Sequence, residues 1–223
     1  MGRVLLAAFL WVSVAGTATA GAWLQQPGRA FLAVSATGYA RPGRADMMSS
    51  LYAEYGLLPR LTVGLDVNGH AAIASGSSAH ALLFARLPLS APDRSLRAAA
   101  ELALGAYHAN HRSRPMLRLK ASLGSGFSSL AGPGWLNLGA EYERIRADRA
   151  AYKLNAAIGL SDGPTIRPLL EIETWKRRDT PLIWTVTLSA MWDRGPATTW
   201  LIGLRRRSPD AALGVRLALW RRF

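Results

Sequence analysis

Residues 134–145 read Gly134-Trp135-Leu136-Asn137-Leu138-Gly139-Ala140-Glu141-Tyr142-Glu143-Arg144-Ile145. Leu136, Leu138, Ala140 and Tyr142 share one parity, and Asn137, Gly139, Glu141 and Glu143 share the other. Successive side chains of an extended chain point to opposite faces, so this stretch is a strand with one apolar and one polar face. The pattern recurs on both sides of it. Leu117, Leu119, Ala121 and Leu123 oppose Arg118, Lys120, Ser122 and Gly124, while Tyr152, Leu154, Ala156, Ile158 and Leu160 oppose Lys153, Asn155, Ala157 and Gly159. Leu61, Val63, Leu65 and Val67 oppose Thr62, Gly64, Asp66 and Asn68. Near the end, Leu213, Val215, Leu217 and Leu219 oppose Gly214, Arg216, Ala218 and Trp220.

Extended over the chain, this reading predicts about twelve strands of roughly ten residues, the length a tilted membrane strand needs. The expected spans are 28–37, 47–57, 60–70, 79–88, 95–107, 115–127, 134–145, 151–161, 165–176, 182–192, 197–206 and 211–223. The first and fourth alternate poorly, which leaves ten strands as an alternative. Turn chemistry separates several of them: Leu58-Pro59-Arg60, Ala91-Pro92-Asp93, Gly132-Pro133-Gly134, Asp162-Gly163-Pro164 and Gly195-Pro196. With no Pro-rich linker, residues 21–223 read as one all-β domain, an antiparallel up-and-down barrel.

Alternation alone also describes a soluble periplasmic β-sandwich or a lipocalin-like binding protein, in which the apolar face turns inward. Charge placement argues for the opposite orientation. All six glutamates, Glu54, Glu101, Glu141, Glu143, Glu171 and Glu173, lie inside strands on the polar parity, together with Asp66. Arg86, Arg97, Arg118, Lys120, Lys153, Arg167, Arg205 and Arg216 do the same, so eight basic residues face seven acidic ones. The other parity is aliphatic, with Trp and Tyr near strand ends, as in a lipid-facing band with aromatic girdles. The expected lumen is therefore a network of paired charges.

The N-terminus reads as an export signal. Met1-Gly2-Arg3 is a short positive start, residues 4–16 are apolar, and Thr17-Ala18-Thr19-Ala20 offers a small-residue cleavage site after Ala20. No later window reaches the ~18 uninterrupted apolar residues of a membrane helix. The 223-residue chain has no cysteine, which excludes disulfides and thiolate metal sites. Its formal charge of +13 would suggest nucleic acid in a cytosolic protein; after export, phosphates of lipopolysaccharide or anionic lipid are the expected partners.

The ending Leu213-x-Val215-x-Leu217-x-Leu219-x-Arg221-x-Phe223 resembles the C-terminal assembly signal of Gram-negative outer-membrane barrels. That resemblance implies a terminal Phe223 read by the barrel-assembly machinery; Arg221 departs from it, standing where an apolar or aromatic residue is usual. Gly21-Ala22-Trp23-Leu24-Gln25-Gln26-Pro27-Gly28 and Tyr52-Ala53-Glu54-Tyr55-Gly56-Leu57 resemble poorly characterised proteobacterial barrel proteins, which implies location and fold but no activity.

If the mature chain starts in the periplasm, the connections after odd-numbered strands face outward. These carry Arg41, Arg44, Arg112, Arg114, Arg146, Arg149, Arg177 and Arg178, whose guanidinium forks suit lipopolysaccharide phosphates. One enzymatic alternative deserves a place: His111-Arg112-Ser113 has the H-x-S spacing that resembles lipid A deacylase barrels, with His as base and Ser as nucleophile, although Arg114 stands where that family has Asn. His70 and His80 flank a small-residue loop but lack nearby carboxylates, a weak metal site. The expectation is a monomeric, non-enzymatic barrel without cofactor, a narrow pore for small solutes or a structural part of the envelope.

Overall fold

The computed structural model describes residues 21–41, 44–72, 76–209 and 211–223. The signal segment with its cut after Ala20, and the side chains of Arg41 and Arg44, lie outside the described residues.

The described residues form twelve strands: β1 (Ala30–Arg41), β2 (Arg44–Leu58), β3 (Leu61–Ala72), β4 (Gly76–Pro88), β5 (Leu96–Ala109), β6 (Arg112–Ser129), β7 (Gly132–Ile145), β8 (Ala151–Leu160), β9 (Arg167–Arg177), β10 (Ile183–Asp193), β11 (Thr198–Arg207) and β12 (Ala212–Arg222). Each pairs antiparallel with its sequence neighbours, and β1 pairs with β12, so the sheet closes on itself. Closure leaves no exposed sheet edge, which is the condition for crossing lipid with strands. The seam is completed by Phe223, whose N–H donates to the Ala30 carbonyl at 2.9 Å. The end where β1 starts and β12 stops is called proximal below, and the opposite end distal.

The faces sort as the parity requires. Leu83, Leu154, Leu188, Leu204 and Leu217 are exposed on the outside, while Glu54, Arg86, Glu101 and Arg118 are buried within. A soluble sandwich or lipocalin-like barrel would show the reverse, and neither is the fold of this chain. Outward aromatics stand near both ends: Tyr142, Tyr152 and Trp184 distally, Tyr55, Trp192 and Trp200 proximally.

Two sequence expectations need correction. Not all Trp and Tyr near strand ends face lipid: Trp135, Trp175 and Tyr107 face inward and, with Trp220 and the mid-strand Tyr52, fill the lumen. The same filling explains why the strands at 28–37 and 79–88 alternate poorly. Phe31 packs edge-on against Tyr52 and Trp220, and Leu82 and Phe84 join Ala103 and Met116 in an apolar cluster. Their inner faces are apolar because they pack side chain on side chain, so twelve strands form and not ten. The second correction concerns β6, expected over 115–127. It begins at Arg112, because Asn110 and His111 take positive φ of 50° and 58° and close a two-residue hairpin turn.

Candidate functional site: the lumen

Residues 21–26 are the element that the strand periodicity could not reveal. They enter the proximal mouth beside β2 and cross to β7. Where they cross, Pro27 bridges Gly56, and the Gly28 N–H donates to the Gly56 carbonyl at 2.9 Å. A Cβ on Gly56 would lie 2.0 Å from the Gln26 carbonyl oxygen, so only glycine admits the segment here. Gly124 on β6 does the same for the indole of Trp23, which would meet a Cβ at 2.4 Å. At the far wall the Ala22 N–H donates to Asn137 Oδ1 at 3.2 Å. Trp23 packs against Trp135, Leu169, Met191, Leu201 and Ala218, the inward side chains of β7 and β9–β12.

On the other side the segment is fastened to buried charge. The Arg86 guanidinium donates to Glu101 Oε2 at 2.8 and 3.1 Å, to Glu54 Oε2 at 2.9 Å and to the Trp23 carbonyl at 3.2 Å. Tyr52 accepts from Arg86 at 2.5 Å and donates to Glu54 at 2.6 Å. Gln25 completes the clamp, its side-chain amide donating to Glu54 Oε1 at 2.5 Å and its backbone N–H to Thr62 at 2.9 Å. Such a low-dielectric network is favourable only when each charge has its partners, and here the plug supplies two of them.

From this clamp the polar contacts continue distally. Arg118 bonds Glu101 at 3.3 Å and pairs directly with Asp66; Asn68 donates to Asp66 at 2.5 Å and bonds His80 at 3.1 Å. Further pairs follow round the wall from β6 to β12: Lys120 with Glu141 at 3.1 Å, Lys153 with Glu143 at 2.8 Å, Arg216 with Glu171, and Arg205 with Glu173 at 3.8 Å. Proximally, Arg167 pairs with Asp193 at 2.7 Å. Arg97 shares the inward parity at the proximal mouth, outside this paired network. The charges grouped by parity in the sequence thus meet in space, with one exchange: Lys153 stands opposite Glu141 in register yet reaches diagonally to Glu143.

Two connected cavities occupy the rest of the lumen. The deeper one, about 430 Å³, is lined by the charged pairs from Glu101 and Asn137 upward. The distal one, about 400 Å³, is lined by Met48, Tyr107, Trp175 and Ile183 as well as by Arg205 and Arg207. Both touch His80, Lys153 and Arg205, so they adjoin as one vestibule.

No family model and no curated protein matches the sequence. Solved structures do match it. A COG4313 outer membrane channel from Pseudomonas putida F1 superposes with a TM-score of 0.63 at 13% identity, covering 90% of this chain and 97% of that one. The KdgM porin gives a TM-score of 0.56 at 13% identity, over 85% and 98% of the two chains. The NanC porin gives 0.56 at 6% identity, over 84% and 98%. The fold is that of an outer-membrane β-barrel.

The distal rim of the barrel is only partly free cation. Arg177 pairs with Asp148 at 3.3 Å, Arg114 with the same carboxylate at 3.7 Å, and Arg149 with Asp179. Arg112, Arg146 and Arg178 are exposed. The H-x-S pair of the enzymatic reading does not meet as expected: Ser113 Oγ lies 3.0 Å from Nδ1 of His108, its cross-strand partner, while His111 sits in the turn. Their contact is exposed at the rim. His70 and His80 lie on adjacent strands, and among the described residues no three metal-ligating side chains cluster.

Proposed function

We propose that this barrel is a non-enzymatic passage for small solutes through the outer membrane, closed at its periplasmic, proximal end by residues 22–26. The observation that carries the reading is the vestibule: a charged cavity within a lipid-facing barrel that runs from the distal end to the plug. The strand charges are spent on each other, which favours conduction or binding over catalysis. A KdgM structure similar to this chain at 12% identity was solved with disordered oligogalacturonate, a polyanion. Here most lumenal cations are paired with carboxylates, so the lumen offers a long polyanion no uninterrupted cationic track, and smaller solutes fit better. In the same reading Arg112, Arg146 and Arg178 face lipopolysaccharide phosphates, and Phe223 is the residue read during assembly.

Single-channel recording tests this. The wild-type protein in planar bilayers gives small or rarely opening currents. Glu173, whose side chain is 48% exposed and whose carboxylate lies 3.8 Å from Arg205, has the longest ion pair among the described lumenal acids. Glu173→Gln therefore shifts the reversal potential in a salt gradient towards anion selectivity without changing the amount of folded barrel. An unchanged reversal potential in a conducting variant removes Glu173 from the ion path.

A further inference from the structure

The distal vestibule brings two features together. Its wall is interrupted by apolar side chains: Trp175 and Ile183 face each other across the β9–β10 pair, and Met48 lies opposite them on β2. Burying such residues in the lumen serves no membrane contact, since the lipid face is the other parity. Its wall also carries a loosely paired cation with a second one beside it. Arg205 has its carboxylate partner at 3.8 Å and a buried Nε without a hydrogen-bond partner among the described residues. Arg207 extends to within 3.8 Å of the Met48 sulfur. Both stand on the same face of β11, two residues apart, so their guanidinium groups point into one space.

A cationic pair beside an aromatic and aliphatic wall matches a ligand with one charged head and one apolar body. The cavity, about 400 Å³, lies within the range of roughly 300–1,000 Å³ typical of small-molecule sites. Glu173 stands close enough to Arg205 to disfavour a second negative charge. We propose that the distal vestibule binds a small amphiphilic monocarboxylate, its carboxylate on Arg205 and Arg207 and its acyl or aryl body against Trp175, Ile183 and Met48. This deepens the passage reading above and rests on it for the route by which the ligand moves on.

Isothermal titration of the full barrel in detergent tests the site with hexanoate, gluconate and hexan-1-ol. Hexanoate binds; gluconate, which lacks the apolar body, and hexanol, which lacks the charge, bind at least about tenfold more weakly. Replacing both cations (Arg205→Gln with Arg207→Gln) removes charge-assisted bonds whose loss corresponds to about tenfold or more in affinity. Trp175→Ala, which leaves both cations in place, weakens hexanoate by a smaller factor and does not affect gluconate. Heat-modifiable migration on gels confirms that each variant is folded. Equal binding of hexanoate and gluconate, of hexanoate and hexanol, or no hexanoate binding by the folded wild type overturns the proposal. Conduction is read separately: hexanoate binding with no current from any variant leaves the site standing and overturns the passage reading.

Discussion

Arg86→Ala is expected to be the most damaging single substitution in this barrel. It leaves Glu54, 2% exposed, and Glu101, 6% exposed, as buried carboxylates that have lost their shared cation, and it strips a donor from the Trp23 carbonyl and from Tyr52. Removing one partner of a buried ion pair costs about 3–5 kcal/mol, because the other charge stays desolvated. Set against a typical total of about 5–15 kcal/mol, that is a large fraction of the stability. The urea midpoint for loss of heat-modifiable migration falls accordingly. Adding Glu54→Gln and Glu101→Gln to Arg86→Ala recovers much of the loss, since neutral amides need no counter-charge. Arg216→Ala is the comparison: its partner Glu171 has a side chain 30% exposed, so water replaces the lost cation and the midpoint moves little.

The second large effect belongs to the plug. Replacing residues 22–26 with a Gly/Ser stretch of equal length removes Trp23 from its pocket among Trp135, Leu169, Met191 and Leu201, and removes Gln25 from Glu54. The twelve-strand ladder does not include these residues, so the barrel still closes and still migrates heat-modifiably. Conductance in planar bilayers is expected to rise several-fold over wild type, with longer open times. Trp23→Ala alone gives an intermediate increase, since Arg86 and Thr62 still hold the backbone and Glu54 the Gln25 side chain. An unchanged conductance in the folded plug variant would mean that the proximal constriction lies in the inward side chains of the barrel itself.

Strand number, strand direction and the inward turn of the charges were legible because a period of two is a local property. Glu141 and Glu143 reveal their face from residues on either side of them. What fills a barrel is not local. Leu82 and Phe84 read as breaks in the alternation, yet they obey it: the lumen there is packed with Ala103 and Met116, so the inner face is apolar as well. Trp23 lies before the first strand and has no period to betray its position. A Trp and two Gln ahead of a Pro-Gly turn were the available signal, and Gly56 and Gly124 became interpretable only once the segment was seen to press on them. The distance between His108 and Ser113 was hidden for a related reason, since it depends on the tight turn at Asn110 and His111 setting the register between β5 and β6.

Which face of the strands meets lipid decides every role assigned to the lumen. Because the chain contains no cysteine, single cysteines report that face without background. Leu154→Cys and Leu204→Cys sit at outward positions 61% and 55% exposed, and Glu173→Cys sits in the vestibule. In protein reconstituted into lipid vesicles and opened to reagent on both sides, a membrane-impermeant charged maleimide is expected to label Glu173→Cys and to spare Leu154→Cys and Leu204→Cys, which react with a lipid-soluble maleimide instead. Rapid labelling of both leucine positions by the charged reagent, with Glu173→Cys protected, would contradict the account.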